Sequence, residues 1–320
     1  MTDSPMTETE LRNPLASEPF RRFRSTHLPP DADIESPGLP PLMTPATDTS
    51  SFHAVEPLPL VPTRPRVDEE PVLGVPLALT DYEETLDWID ATAATGRKGY
   101  ICVAAVHTVM ACQEDPELRE AVLNADFVVP DGQPLVWAMN MLGHQLPNRV
   151  YGPELMDRAC ARAARTGLKM YLYGGRNQGA LVQLALNMRR RYPGLQIVGG
   201  YAPPFRELTA EEETAVLDEI NRSRADLVWV GIGVPKQEKW MARVRPRLQN
   251  PVLVGVGAAF DFHAGLVPQA PDWMQSAGLE WAYRLAHEPR RLWKRYARYN
   301  PLFVTGFARQ YARYRRANDA

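Results

Sequence analysis

The chain is poor in cysteine: Cys102, Cys112 and Cys160 are its only three. They are widely spaced, odd in number and without a CxxC pair. That excludes a disulfide framework and a ribbon-type zinc site, and fits buried thiols in a reducing compartment. HExxH and any clustered His/Cys set are absent, as is a DxD pair from the strand-and-helix region, so no metal is predicted. No run of about 18 apolar residues occurs, so no membrane-spanning helix is expected. A basic stretch leading into an apolar core is also lacking, so no secretory leader is expected. A formal charge of −2 provides no global attraction to nucleic acid. Neither a dinucleotide fingerprint nor a Walker loop is present, and no internal repeat is visible.

Proline, by contrast, is abundant and uneven. Fourteen of the 30 prolines fall at or before Pro71. Residues 1–70 also carry Ser, Thr and acids with little apolar periodicity. Such a segment buries too little apolar surface to offset its ordering entropy and is expected to be a disordered arm. From Pro71 short apolar strands alternate with helical stretches. Val72–Val75 reads as an opening strand, 81–94 as a helix, 100–105 as a strand. Helices follow at 108–112 and 116–124, then a strand from Phe127 to Val129. Further strands are expected at 169–173, 195–201, 227–231 and 252–256, with helices between. Near-continuous apolar strands in this alternation predict an α/β fold: a mainly parallel, Rossmann-like sheet with helices on both faces. The predicted organisation is an arm over 1–70, an α/β core over 71–267 and a helical appendage over 268–320, with a helix over 273–287 and one or two helices over 289–316 interrupted at Pro301.

The most informative stretch is Ala125–Met156, where the strand ends in Pro130-Asp131-Gly132 and a helix follows. A carboxylate at the carboxyl end of a buried strand lies where open α/β sheets bind ligands. Asp131 is therefore a candidate general base, and a helix cap or turn former is the other reading of the same residue.

Three further strand ends are glycine-rich. Gly174-Gly175 opens a turn into a helix, where backbone N–H groups and the helix dipole favour a phosphate; a tight turn without ligand is equally compatible. In Gly231-Ile-Gly233-Val-Pro235-Lys236-Gln237, Pro235 suits the first turn of a helix, and Gln237 sits at its mouth as a ligand candidate. Asp261 lies between Phe260 and Phe262, and a buried acid needs a partner: a neighbouring loop or a substrate hydroxyl. In a parallel sheet these three ends and Asp131 form one rim.

The end of the chain is basic and aromatic: from Gly278 onward there are ten Lys/Arg and three Asp/Glu. Arg284, Arg290, Arg291, Lys294, Arg295 and Arg298 are candidates to hold a diphosphate without a metal. Trp293, Tyr296, Tyr299, Phe303, Phe307, Tyr311 and Tyr314 fall on one helical stripe. Such a stripe suits an anionic membrane surface, and equally packs on the core or on another subunit of a homo-oligomer.

Taken together, ADFVVPDGQPLVW, RVYGPELM, MYLYGG, RRRYPGLQIVGGY, LVWVGIGVPKQEKWM, GVGAAFDFHAG and APDWMQSAGLEWAYRLAHEPRRLWKRY resemble the TagA/WecG/CpsF family of bacterial glycosyltransferases, in family order from Val72 to Tyr296. The resemblance implies an inverting, metal-independent transfer needing no cofactor. The donor would be a UDP-sugar of the N-acetylmannosamine or glucose type, and the acceptor an undecaprenyl-diphosphate-linked sugar, in cell-surface or exopolysaccharide synthesis. It puts the base on Asp131, makes Arg149 of RVYGPELM a substrate-binding candidate, and matches the appendage arginines to Arg284, Arg290 and Arg291. It also implies a cytoplasmic protein peripheral to the inner face of the plasma membrane. One departure stands out: many members have Thr-x-Asn where this chain has Val103 and Ala105, leaving His107 or Thr108 as substitutes. Two other classes are carried forward, a nucleotide-binding dehydrogenase or epimerase and a non-catalytic scaffold of a polysaccharide assembly complex. No nucleic-acid module is present.

Overall fold

The computed structural model describes residues 67–249 and 251–319, without the side chains of Asp272 and Arg291. The expected arm over 1–70 lies almost wholly outside the described residues.

Six strands form the central sheet: β3 (Gly99–Ala104), β4 (Phe127–Pro130), β5 (Lys169–Gly174), β6 (Gln196–Tyr201), β7 (Leu227–Gly231) and β8 (Val252–Gly255). All pair in parallel, in the order β4-β3-β8-β7-β5-β6. The short apolar runs form strands because both faces are covered. Ile101, Val103, Phe127, Val129, Leu172 and Trp229 point into one core cluster. That cluster includes Leu86, Trp88 and Ile89 of α1 (Tyr82–Ala94), Leu155, Met156 and Ala159 of α5 (Gly152–Thr166), and Leu181 and Leu184 of α6 (Gln178–Arg191). Alternate residues face the other side. There α3 (Pro116–Leu123) and α8 (Lys236–Val244) pack together, α8 also touches β3, β7 and β8, and α7 (Ala210–Ser223) touches β6. This is the expected Rossmann-like α/β architecture.

Helix starts follow their capping residues. Asp81, Asp115 and Asn177 each accept the backbone N–H of the residue three positions on, and Thr209 forms a reciprocal capping box with Glu212. Short helices α2 (Val106–Ala111) and α4 (Gln133–Met141) follow β3 and β4 directly, and α9 (Ala259–His263) follows β8 after a short turn.

Three local expectations change. The opening strand is instead an antiparallel hairpin, β1 (Glu69–Val72) with β2 (Val75–Ala78). Leu73 and Gly74 both have positive φ (51° and 76°), the left-handed pair that two-residue hairpins favour. The helix expected over 273–287 is two helices, α10 (Asp272–Ser276) and α11 (Glu280–His287). Gly278 breaks them at φ 68°, where an added Cβ would fall 2.8 Å from the Trp137 ring. Finally, α12 (Pro289–Asn318) runs unbroken through Pro301. Burial of Leu292, Phe303 and Phe307 offsets the local cost of the proline.

The long helix is fastened to the core. Gln310 Nε2 donates to the Pro71 carbonyl at 2.6 Å, and its Oε1 accepts the Leu73 N–H at 2.8 Å. Arg298 and the Tyr299 hydroxyl both donate to Glu114. Part of the aromatic stripe is thus packed on the protein, while Trp273, Trp281, Trp293, Leu302 and Val304 stay exposed. Among the described residues no helix is long and apolar enough to cross a membrane.

Candidate active site

A cleft of about 850 Å³ lies over the carboxyl ends of the strands. Its walls come from the segments after β3, β4, β5, β7 and β8, from the 203–210 loop after β6, and from Arg284 and Arg295 of the C-terminal helices.

Asp131 follows β4 and extends its pairing, since its N–H donates to the Ala104 carbonyl at 2.8 Å. The carboxylate then turns toward the amino end of α5, where its Oδ1 accepts the Gly152 N–H at 3.1 Å. Gly152 suits this approach: an added Cβ would press on the Val256 carbonyl at 3.4 Å and on Val103 at 3.5 Å. Burial pushes the Asp131 carboxyl up to about 6, opposed by Arg149, helped by Glu280, and opposed again by the Gly152 N–H and Arg284. A carboxylate of that basicity, ionised at neutral pH, is suited to take a proton from a hydroxyl.

Arg149 is the hub behind Asp131. It donates to the Asp131 carbonyl at 3.3 Å, to Gln275 Oε1 at 3.1 Å and to Glu280 Oε2 at 2.6 Å. Its guanidinium also lies 4.1 Å from the centre of the Tyr151 ring. The loop is held from the other side by the Tyr82 hydroxyl, which accepts the Tyr151 N–H at 3.0 Å. Arg149 thereby joins the Asp131 loop to α10 and α11.

The remaining candidates divide. Gly175, Gln237, Asp261 and Arg284 line the cleft with Asp131, and Gly174, Thr108, Arg149 and Arg290 are not among its lining residues. Gly174 answers a packing demand: at φ 138° an added Cβ would fall 2.5 Å from the Gly231 carbonyl. The Thr108 hydroxyl is fully buried and has no hydrogen-bond partner among the described residues. Asp261 receives a two-pronged pair from Arg176, at 3.0 and 3.1 Å, and both residues line the cleft. Arg290 is exposed on α12, and the Arg291 side chain lies outside the described residues.

Sequence reasoning passed over several lining residues. Arg176 sits inside the glycine turn whose glycines drew attention. The 203–210 loop has no periodicity, and only its Pro203-Pro204-Phe205 run marks it; Phe205 is 90% exposed. Trp240 stacks on Tyr173 with ring centres 3.9 Å apart, giving the cleft an aromatic wall. His107, raised as a substitute for the family hydroxyl or amide, lines the cleft. Burial, then Arg295 and Arg284, lower its pKa to about 3, so its imidazole is neutral.

Charge in the cleft is mostly paired. Lys239 bridges Asp115 and Glu117, Arg243 meets Glu213, and Arg206 meets Glu212. Lys236 has no ion pair among the described residues, and Arg284 Nε is buried without a hydrogen-bond partner. Both are placed to meet an anionic group. No group of three or more His, Cys, Asp or Glu among the described residues is arranged to hold a metal ion.

Residues 70–317 match the model of the glycosyl transferase WecG/TagA/CpsF family. The chain is also 29% identical over 211 residues to the N-acetylglucosaminyldiphosphoundecaprenol N-acetyl-beta-D-mannosaminyltransferase of Bacillus spizizenii, an alignment covering 65% of this chain and 78% of that protein. With the match running from the β1–β2 hairpin to the end of α12 and including every wall of the cleft, the chain belongs to the WecG/TagA/CpsF family of glycosyltransferases.

Proposed function

We propose that this glycosyltransferase moves a sugar from a UDP-sugar to a sugar linked to undecaprenyl diphosphate, with inversion and without a metal. Family membership sets aside the dehydrogenase and scaffold readings. The observation that carries the reading is Asp131: a buried carboxylate of raised basicity in the cleft, held by the Gly152 N–H. In the reaction Asp131 takes the proton of the acceptor hydroxyl. The freed oxygen attacks the anomeric carbon, the bond from that carbon to the diphosphate oxygen breaks, and UDP departs with the electron pair. One displacement inverts the anomeric centre.

The departing diphosphate needs positive charge. Arg284 and Lys236 are available for it, and Arg176 becomes so wherever a ligand loosens its exposed pair with Asp261. The buried Tyr173–Trp240 stack bounds the part of the cleft that a nucleobase would fill. Neutral His107 stands near Arg284 and Arg295 as a hydrogen-bonding group for a sugar hydroxyl. An acceptor on a polyprenyl diphosphate is presented at a bilayer. Exposed Trp273, Trp281 and Trp293 among the C-terminal bases support docking on an anionic membrane surface, here placed at the inner face of the plasma membrane. Cell-surface or exopolysaccharide synthesis is the setting this chemistry serves.

The test is UDP release from a panel of UDP-sugars, including N-acetylmannosamine and glucose donors, with EDTA and with or without a short-chain polyprenyl-diphosphate-linked sugar. Acceptor-dependent release with one donor is expected. Silence across the panel, or loss of release in EDTA that Mg²⁺ restores, would refute the donor class or the metal-free route respectively.

A further inference from the structure

Glu238 is an anomalous acid among the described residues. It is fully buried on α8, in a region that also holds the Cys102 and Cys112 thiols. Its Oε1 accepts from Gln237 Nε2 at 2.7 Å, and its Oε2 has no hydrogen-bond partner among the described residues. Desolvation of this kind pushes its carboxyl up to about 7. Burying an acid with one oxygen left without a partner is costly, and an apolar residue of similar size would be cheaper. The Asp131 chemistry leaves it unused.

The backbone beside it is shaped around Gln237. At the end of β8, an added Cβ on Gly255 would fall 3.1 Å from Gln237 Nε2 and 2.8 Å from Met241. Two residues on, an added Cβ on cleft-lining Gly257 would meet Gln237 Oε1 at 3.6 Å. The amide therefore lies along Gly255–Gly257 with its nitrogen inward and its oxygen toward Gly257. Gln237 is 2% exposed, and that oxygen is buried with no partner among the described residues. An ionised carboxylate accepts and never donates, so it dictates which end of an amide faces it. Without it, the Gln237 amide gains a second orientation with NH₂ outward.

We propose that Glu238 is a positioning residue: it keeps the NH₂ of Gln237 turned inward, so that Gln237 Oε1 meets the cleft as an acceptor for a hydroxyl or N–H of the nucleotide-sugar. This rests on the UDP-sugar reading above and adds the polarity of one contact within it. Hydrogen-bond donors on the uridine and on the transferred sugar share that chemistry, and the experiment separates them.

The experiment is calorimetric titration of UDP into the full chain at about pH 8, for wild type, Glu238→Gln and Glu238→Leu. It is joined to steady-state kinetics with the UDP-sugar that supports transfer and to thermal unfolding. Glutamine fills the space and can turn either an acceptor or a donor to Gln237, so it no longer dictates polarity; leucine offers neither. Glu238→Gln is expected to bind more weakly than wild type and no more weakly than Glu238→Leu. Glu238→Leu is expected to bind UDP about 3- to 10-fold more weakly, the worth of one hydrogen bond, with kcat little changed and a melting temperature no lower than wild type. If UDP binding holds but the donor KM rises by that factor, the contact is to the transferred sugar, and the proposal stands with that assignment. Unchanged UDP affinity and unchanged donor KM in a folded Glu238→Leu would overturn it. Wild-type affinity and wild-type donor KM in Glu238→Gln, with weakening in Glu238→Leu alone, would overturn it too, because an obligate acceptor would then be irrelevant. A wild-type chain that binds no UDP would overturn the donor reading itself, and this proposal with it.

Discussion

Glu280 Oε2 lies 2.6 Å from the Arg149 guanidinium, and the two side chains are only 10% and 12% exposed. This pair links α11 to the loop that leaves Asp131, since the same guanidinium also donates to the Asp131 carbonyl. The C-terminal helices are thereby wired to the proposed base as well as packed beside it. Removing one partner of a pair this buried leaves an uncompensated charge. Glu280→Ala is expected to lower stability by about 2–4 kcal/mol. It also removes a negative charge that raises the Asp131 pKa and frees Arg149 to lower it. The acid limb of the pH–rate profile should therefore move to lower pH in Glu280→Gln, and a limb that stays put would mean that Glu280 does not act on Asp131.

The pH–rate profile of the wild type follows from the sign of the Asp131 shift. The proposed base works ionised, and its pKa is pushed up to about 6. Transfer should be full above that value and fall as pH drops through it, losing about tenfold per pH unit well below it. A limb nearer 4 would point to a solvated carboxylate.

Gly174 is expected to be irreplaceable for structural reasons. Its φ of 138° and the 2.5 Å approach of an added Cβ to the Gly231 carbonyl leave no room for a methyl group. Gly174→Ala should cost about 2–5 kcal/mol, strain and overpacking together, read as a lowered urea midpoint. Wild-type stability with reduced UDP affinity would instead assign Gly174 to ligand binding.

The exposed tryptophans separate membrane docking from folding. Trp293 is 53% exposed and Val304 64% exposed on α12. Substituting Trp293→Ser and Val304→Ser should weaken co-sedimentation with vesicles containing anionic lipid by about three- to tenfold, the loss of partial burial of two apolar side chains. The melting temperature should stay within a degree or two. Unaltered vesicle binding would remove α12 from the docking surface.

Much of this architecture is legible along the chain, and the exceptions have physical causes. The six parallel strands announce themselves as short apolar runs between helical periods, because a strand buried on both faces must be apolar throughout. Asp131 stands out because a carboxylate directly after such a run has nowhere to go but the sheet's carboxyl edge. The β1–β2 hairpin is hidden because its turn places Leu73, a residue without the usual turn chemistry, at positive φ. The helix through Pro301 is hidden because tertiary burial of Phe303 and Phe307 overrides local propensity. The Arg176–Asp261 pair spans 85 positions and Arg149–Glu280 spans 131, so neither leaves a local pattern. Glu238 looks like one more charge on a solvated helix face until α8 is seen packed against β8 and α3.

The most direct test of the account is Asp131→Asn, assayed for acceptor-dependent UDP release alongside thermal unfolding at about pH 7.5. Asparagine keeps an oxygen to accept the Gly152 N–H and cannot take a proton. An acid whose folded pKa is raised costs stability above its unfolded pKa, with the full cost present above the folded value. A shift from 3.8 to about 6 corresponds to a cost of about 1–3 kcal/mol at this pH. The account predicts release lowered by about 10²-fold or more, together with a melting temperature equal to or above wild type, the gain fading as pH falls toward 4. Near-wild-type release from a folded Asp131→Asn would contradict it, and the base would have to be sought elsewhere in the cleft.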